Sequence, residues 1–263
     1  DRDVTGVQTC ALPIWKKYTM LYKEYFANID KLLKQAVDTQ GSNIEKASSA
    51  IAESIKNDGV MHMFGCGHSQ MFGMEMFYRA GGLVPVNCIL APQVSLYPHA
   101  SWSTVCERQE GLAELILNEE HIEPGDIMFI TSIAGRNALP YEIALGAKNR
   151  GCIVIGMHSK AFADSVTPRH SSGKFYHELC DILLDVGGVP GDASLSIEGF
   201  ESSFAPTSSV VGFAILQSIE AQVIENLVKD GVTPPVFVSG NLDKGDEIIR
   251  KYVKQYKQRI PGL

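Results

Sequence analysis

The chain has 263 residues, of which 45% are hydrophobic and 20% charged, a composition that excludes a disordered chain and predicts one or two globular domains. Its 30 acidic and 23 basic side chains leave a formal net charge of −7. This balance argues against nucleic acid or an anionic membrane as the partner, because both reward a basic protein surface.

Residues 1–14 differ in character from the rest of the chain. Residues 4–14 resemble the in-frame translation of a sequencing-adapter oligonucleotide and show neither helical nor strand periodicity. We therefore interpret residues 1–14 as a non-native N-terminal scar. We expect a single domain over residues 15–263.

The first native segment is predicted to be helical. Apolar residues recur at three-and-four spacing from residue 18 to residue 37, which is typical of an amphipathic helix. Gly41 interrupts the pattern, and residues 44–55 resume it. Because glycine is a poor helix residue and Ser42 can cap a new helix, these segments predict an N-terminal helical hairpin.

The rest of the chain alternates between short apolar runs and amphipathic stretches. Continuously apolar strands separated by helices indicate a parallel sheet buried on both faces, so we predict an α/β protein with a three-layer α/β/α sandwich. Pro85, near the start of the second strand, indicates an edge position. The predicted strands are 60–64, 83–90, 127–132, 152–157 and 181–186, with an extended piece at 235–238, and the predicted helices are 69–80, 107–120, 138–150, 207–230 and 244–258.

Parallel sheets bind ligands outside the carboxyl ends of their strands, and the first such loop is rich in glycine. It reads Gly65-Cys66-Gly67-His68-Ser69-Gln70, and a tight turn before a helix start offers free amides to an anion. A dinucleotide-binding fingerprint would need a third glycine at Gln70. A nucleophile elbow would need its last glycine at Met71. A phosphosugar-binding loop fits every position.

Two further loops carry hydroxyl groups in front of a helix. Ser132 ends the third strand and is followed by Gly135-Arg136-Asn137, and a second pair of hydroxyls precedes the long helix after residue 207. The guanidinium fork of Arg136 suits an oxyanion. We expect Arg136 and Asn137 to orient an anionic group that is held by loop amides and by the hydroxyls of Ser69, Ser132, Thr207 and Ser208.

Together these motifs resemble the sugar isomerase (SIS) domain. The resemblance rests on Gly65-x-Gly67-x-Ser69, Ser132-x-x-Gly135-Arg136-Asn137 and Pro206-Thr207-Ser208, covers about residues 18–260, and is closest to a bacterial group of phosphoheptose isomerase-like proteins. It implies a five-stranded parallel sheet of flavodoxin-like order, no metal or nucleotide cofactor, a small anionic sugar as ligand, and a homodimer or homotetramer. Two features depart from the family pattern: Ala134 replaces a second serine, and Glu75 and Gln217 stand near the places of the glutamate and histidine that catalyse in phosphoheptose isomerases.

The reaction that this resemblance implies sets requirements on the side chains. Aldose–ketose isomerisation through an enediol needs a base for the carbon-bound proton and a group that moves protons between two oxygens. Glu107, followed by Arg108, is the predicted base; the alternative is an acid that only stabilises a helix start. His68 in the first loop and His170 after the fourth strand are its predicted partners, and filling a turn is the alternative for His68.

We therefore predict a metal-independent isomerase of a sugar phosphate. A zinc site at His62, Cys66 and His68 is disfavoured, because a strand alternates its side chains and no second ligand pair accompanies them. The six cysteines form no Cys-x-x-Cys pair, which indicates reduced thiols in the cytoplasm. A phosphosugar sensor without catalysis, another SIS reaction (ether cleavage, deamination or epimerisation) and a sulfosugar isomerase stay open. The predicted catalytic residues are Glu107, His68 and His170, and the predicted substrate-binding residues are Gly67, Ser69, Ser132, Gly135, Arg136, Asn137, Thr207, Ser208 and Arg108.

Overall fold

The computed structural model describes residues 20–263, so the predicted scar at residues 1–14 lies outside the described residues. The strands are β1 (Met61–Gly65), β2 (Val86–Cys88), β3 (Ile127–Thr131), β4 (Ile153–His158), β5 (Ile182–Asp185), β6 (Leu195–Ile197) and β7 (Phe200–Phe204). The helices are α1 (Leu21–Lys56), α2 (Gln70–Met76), α3 (Ala100–Cys106), α4 (Ala113–Leu117), α5 (Ala138–Asn149), α6 (Lys160–Asp164), α7 (Ser208–Lys229) and α8 (Gly245–Tyr256).

The first five strands form one parallel sheet in the order β2-β1-β3-β4-β5, which confirms the predicted flavodoxin-like sheet and the edge position of its second strand. At the carboxyl edge, Gly65 of β1 pairs with Thr131 of β3, and Thr131 pairs with Met157 of β4. β2 is shorter than predicted because the preceding residues bond elsewhere: Leu83 forms a bridge with Val236 in the predicted extended piece.

The predicted N-terminal hairpin is wrong, because α1 is one helix of 36 residues that continues through Gly41. The helix buries an apolar stripe that includes Ala36, Ala47 and Ile51 against α7 and the sheet. A glycine in a helix interior costs about 1 kcal/mol relative to alanine. Burial along the whole stripe outweighs that cost, since packing supplies most helix stability in proteins.

Two apolar layers cover the sheet, as predicted for a three-layer sandwich. One contains α1, α2 and α7 packed on alternate strand residues such as Phe129 and Met157. The other contains α4 and α5 packed on Met128 and Ile130. No described helix, over residues 20–263, has the length and apolarity that a bilayer crossing requires.

Between β2 and β3 the structure corrects the predicted helix over 107–120. Two short helices, α3 and α4, flank a turn at residues 107–112, since Gly111 takes a positive φ of 87° and donates its amide proton to the Glu142 carboxylate. Glu107 is therefore the residue that ends α3 rather than one that begins a helix. The antiparallel hairpin of β6 and β7, which turns at Gly199, was not predicted.

A buried polar network ties the C-terminal segment to the amino edge of the sheet. Asp126 is 1% exposed and accepts hydrogen bonds from the amide of Val60 at 2.8 Å, from His62 Nε2 at 3.1 Å and from Arg259 at 2.7 Å. Burial alone would raise the pKa of Asp126, but these bonds, with one from the amide of Glu123, hold it below its usual range. His62 is thus a packed strand residue, as its position in β1 predicts.

Candidate active site

The crevice between β1 and β3 is the topological switch point of the sheet. From β1 the chain crosses to β2 on one side and then returns to β3 on the other, and ligands of open α/β sheets bind at this reversal. The loop after β1 leads into α2 in one layer, and the loop after β3 leads into α5 in the other. Because Gly65 and Thr131 are paired, Ser69 and Ser132 stand in loops that leave the sheet side by side.

The loop after β1 leaves its polar groups available. Gly67 has a φ of 57°, and a Cβ at this position would lie 3.2 Å from Ser103 Oγ, so both conformation and space favour glycine. His68 is exposed. Within residues 20–263, neither the His68 ring nor Ser69 Oγ is engaged in a side-chain hydrogen bond. These two side chains can therefore meet a ligand without breaking internal bonds.

The loop after β3 is braced from the segment that follows β4. Arg169 donates from its guanidinium to Asn137 Oδ1 at 2.6 Å, and Arg136 donates from Nε to the carbonyl of Thr167 at 3.0 Å. Part of the Arg136 guanidinium is therefore already hydrogen-bonded within the protein, and Arg169 orients the Asn137 side chain. Gly135 takes a φ of 68° and lets this loop turn over Tyr176.

Glu107 is a half-buried carboxylate that touches this loop. The backbone carbonyl of Glu107 accepts a hydrogen bond from the backbone amide of Leu139 in α5. Burial raises the pKa of Glu107, while a hydrogen bond from the Asn137 side chain and the charges of Arg108 and Arg169 act in the opposite direction. Because Glu107 ends α3, it does not stabilise the start of its own helix, but its carboxylate lies beside Asn137, the residue that precedes α5.

A half-buried thiol lies near this carboxylate. Desolvation raises the pKa of Cys66 well above its usual range, and the charges of Glu107 and Cys106 add to the effect. The nucleophilic form of cysteine is the thiolate, which this raised pKa disfavours.

Beside the crevice, His170 forms a cluster with Glu110 and Glu142, which we call the acidic brace. Its ring packs on Tyr141 with centroids 4.3 Å apart, and its Nδ1 accepts the backbone amide of Ser172 at 3.0 Å. In the neutral ring the proton is therefore on Nε2, which lies 3.7 Å from a carboxylate oxygen of Glu110 and of Glu142. Within residues 20–263, this is the one set of three potential metal ligands that lie within 4.8 Å of one another. A metal ion binds an unprotonated ring nitrogen, so the proton on Nε2 disfavours metal binding by this set.

The third predicted hydroxyl cluster lies at the β5 side and already holds a carboxylate. α7 packs on α2 where Phe213 contacts Phe72 at 4.9 Å between ring centroids, and the start of α7 lies near the end of β5, since Thr207 lines one cavity with Asp185. There Asp192 accepts the amides of Thr207 and Ser208 at 3.0 Å and the hydroxyl of Ser208 at 2.5 Å. The structure therefore gives these donors a partner within the protein.

Beside this helix start lies a cavity of about 290 Å³. It opens between α1 and the end of β5, where Gly187 and Gly188 both take positive φ values. Its polar lining comes from Asn28, Lys31, Gln35, Asp185, Ser194 and Thr207. The sequence carries no motif for this cavity, because its walls come from separate segments that are distant in the chain.

Glu75 and Gln217 also meet in the structure. Glu75 Oε1 accepts a hydrogen bond from Gln217 Nε2 at 3.1 Å and pairs with Arg79 at 2.8 Å. The contact joins α2 to α7. The predicted helix over 69–80 is shorter in the structure: α2 ends at Met76, so Arg79 reaches Glu75 from the segment that follows the helix.

Comparisons with known proteins agree with this architecture. The family model of the SIS domain matches residues 24–159. A UPF0309 protein of Listeria monocytogenes serotype 4b is 44% identical over 233 residues, which is 89% of this chain and 94% of that protein. A UPF0309 protein of Geobacillus kaustophilus is 40% identical over 243 residues, 92% of this chain and 97% of that protein. The structure of a phosphoheptose isomerase from Francisella tularensis aligns with a TM-score of 0.50 and 16% identity over 79% of this chain and 100% of that chain, a likeness of fold.

Proposed function

This chain belongs to the SIS domain family, and we propose that it binds a small anionic sugar in the crevice between β1 and β3 and interconverts its aldose and ketose forms. Membership supports sugar-phosphate binding at the level of the family. One observation carries the proposed reaction. Glu107 is a half-buried carboxylate with a raised pKa at the switch point of the sheet, in reach of Asn137 and Arg169.

A raised pKa suits a general base. Burial makes the Glu107 carboxylate more basic than an exposed one, and proton abstraction is most efficient when the pKa of the base approaches the working pH. Arg108 and Arg169 act in the opposite direction on the same pKa and favour the ionised form. These charges also stabilise the negative oxygen that forms in the reaction.

The proton movements can be assigned to named groups. Glu107 removes the proton from C2 of the open-chain aldose, and the electron pair of that bond forms the C1–C2 double bond while O1 becomes negative. His68 donates a proton to O1 and accepts one from the C2 hydroxyl. Glu107 returns its proton to C1, which yields the ketose. No group is consumed, since Glu107 and His68 each return to their starting protonation state. The proton held on Glu107 exchanges with solvent before it reaches C1, which is why D₂O reports the reaction.

The anionic end of the sugar has its donors at the start of α5. A helix start offers free amides and a positive dipole end to an anion, and α5 begins at Ala138, directly after Asn137. Ser132 and Arg169 flank this start, and Ser69 faces it from the neighbouring loop. Ala134 lacks the hydroxyl that family members place there, so Arg169 supplies a charge in its stead.

Assembly is also a proposal. Beside the first loop, Tyr97, Trp102 and Val105 are 84%, 63% and 57% exposed. An exposed apolar group of this kind is typical of a surface that another protein covers. We propose a homodimer or homotetramer, and light scattering coupled to gel filtration will measure the mass.

The reaction is tested by hydrogen exchange in D₂O. The full chain is incubated with aldose phosphates of five to seven carbons and with a hexose 6-sulfonate, and proton NMR follows the C2–H signal. We expect one of these sugars to lose that signal as its ketose appears. Tight binding of a sugar without any exchange would reject the isomerase and favour the phosphosugar sensor.

A further inference from the structure

A pair of histidines at the carboxyl end of β4 stands outside the chemistry described above. His158 is the last residue of β4 and is 5% exposed, and His177 lies in the turn that precedes β5. Their ring centroids are 5.0 Å apart. Among the described residues 20–263, three buried side-chain nitrogen or oxygen atoms have no hydrogen-bond partner, and two of them are the Nδ1 atoms of these rings.

The two unpaired ring nitrogens indicate that these histidines do more than fill space in the core. Buried polar atoms in native proteins are nearly always bonded, and each exception calls for a physical reason. One face of the pair is apolar, since Phe175 stacks on His177 with ring centroids 4.8 Å apart. Phenylalanine or leucine would fill both positions without an unpaired atom, so packing alone does not explain two histidines in contact.

Gly135 packs directly against one of these atoms. A Cβ added at Gly135 would lie only 3.3 Å from His177 Nδ1, so a larger residue at position 135 would crowd that nitrogen. The charges around the pair favour a cation. The charge of Asp164 acts on both rings, that of Asp185 on His158 and that of Glu178 on His177. Lys160 opposes them, but it pairs with Asp164 at 2.6 Å.

We propose that His158 and His177 are the protein ligands of a divalent transition-metal ion, of the class Zn²⁺, Ni²⁺ or Cu²⁺, which imidazole nitrogens prefer. Two imidazoles bound at about 2.0 to 2.1 Å to one such ion, at a bond angle of about 90° to 109°, place their ring centroids about 4.5 to 5.2 Å apart. The separation of 5.0 Å in this chain falls in that interval. Asp164, whose charge acts on both rings, would turn from Lys160 to become a third ligand.

This site is independent of the sugar crevice, but it touches its wall. Gly135 belongs to the loop after β3, and His177 packs beneath that loop. A bound ion would therefore stiffen the loop whose other end carries Asn137. It would take no part in the proton transfers assigned to Glu107.

The test is metal binding by the full chain after removal of metals with a chelator. Zn²⁺ is titrated against a chromophoric chelator, and Cu²⁺ is titrated with electron paramagnetic resonance as readout. We expect one equivalent bound, nitrogen hyperfine coupling from two imidazoles, and a loss of affinity of about 100-fold or more in His158→Phe and in His177→Gln, since each removes half of the protein ligands. Circular dichroism checks the fold, and the less buried His177 position supplies the decisive variant if His158→Phe does not fold.

Two control variants locate the ion. His99→Phe removes an exposed histidine elsewhere, and Glu142→Gln disrupts the acidic brace around His170; both should bind metal like the parent chain. Absence of stoichiometric binding would overturn the proposal. So would binding that persists in His177→Gln but is lost in Glu142→Gln.

Discussion

The role of Glu107 can be tested by a single change whose effects on activity and on stability have opposite signs. Glu107→Gln keeps the size of the side chain and a hydrogen bond to Asn137 but removes the base. Loss of a general base typically lowers the rate by about 10²- to 10⁴-fold, or about 2.7 to 5.5 kcal/mol of barrier. We expect kcat for the best sugar in the NMR panel to fall by that factor.

The stability of the same variant follows from the raised pKa. Because burial puts the pKa of Glu107 in the folded chain above its unfolded value, its contribution to stability is fully present below the unfolded pKa and is lost as the pH rises through the folded pKa. The ionised carboxylate thus costs folding free energy at neutral pH. Glu107→Gln removes that cost, so its melting temperature at pH 7 should equal or exceed that of the parent chain, with a smaller difference at pH 4.

The assay pairs deuterium exchange at C2 with calorimetric melting at both pH values. Glu119→Gln, an exposed carboxylate in the same region of the chain, serves as the control and should change neither quantity. In the parent chain, the acid limb of kcat/KM should lie above the pH at which an exposed glutamate titrates. Full activity of Glu107→Gln, or a loss of activity matched by a large drop in melting temperature, would refute Glu107 as the base.

Three further changes test the site and the fold. Arg169→Gln removes the proposed charged donor to the anionic group of the sugar, and a hydrogen bond to a charged group is worth about 1.5 to 3 kcal/mol, so the Kd for the sugar in calorimetric titration should rise about 10- to 150-fold. Asp126→Ala leaves the amide of Val60 and the ring of His62 unpaired in the core, which should lower the free energy of unfolding in urea by about 3 to 5 kcal/mol. Gly41→Ala adds a Cβ that meets nothing within 4 Å in the middle of α1, and it should raise that free energy by about 0.5 to 1 kcal/mol.

Each of these outcomes has a matched comparison. Lys174→Gln removes an exposed cation near Arg169 and should leave the Kd unchanged, so an equal effect of both variants would point to a general loss of charge. Asp126→Asn retains acceptor capacity and should cost less than Asp126→Ala. A destabilising Gly41→Ala would show that α1 is interrupted at this residue in solution, as the sequence pattern suggests.

Local patterns in the sequence were enough to predict the sheet and its ligand-bearing edge. Continuous apolar runs such as residues 127–131 form strands that are buried on both faces. Burial on both faces requires consecutive apolar residues, so it can be predicted from neighbours in the chain. The glycines and hydroxyls that follow β1 and β3 mark loops for the same reason: turn geometry and helix starts depend on neighbours in the chain. Strand order came from the resemblance to a family rather than from periodicity.

Only tertiary contacts decided the rest. In the sequence, Gly41 predicts a break in the helix, but burial of the apolar stripe against α7 keeps α1 continuous. The residues next to Gly41 in the chain give no sign of that packing energy. Arg169 reaches Asn137 across 32 residues, and Asp192 fills the start of α7 from 15 residues away, so neither partner could be read from spacing. The depth of Glu107, on which its basicity depends, is likewise set by the elements that surround it, because desolvation is a property of the folded environment and not of a residue's place in the chain.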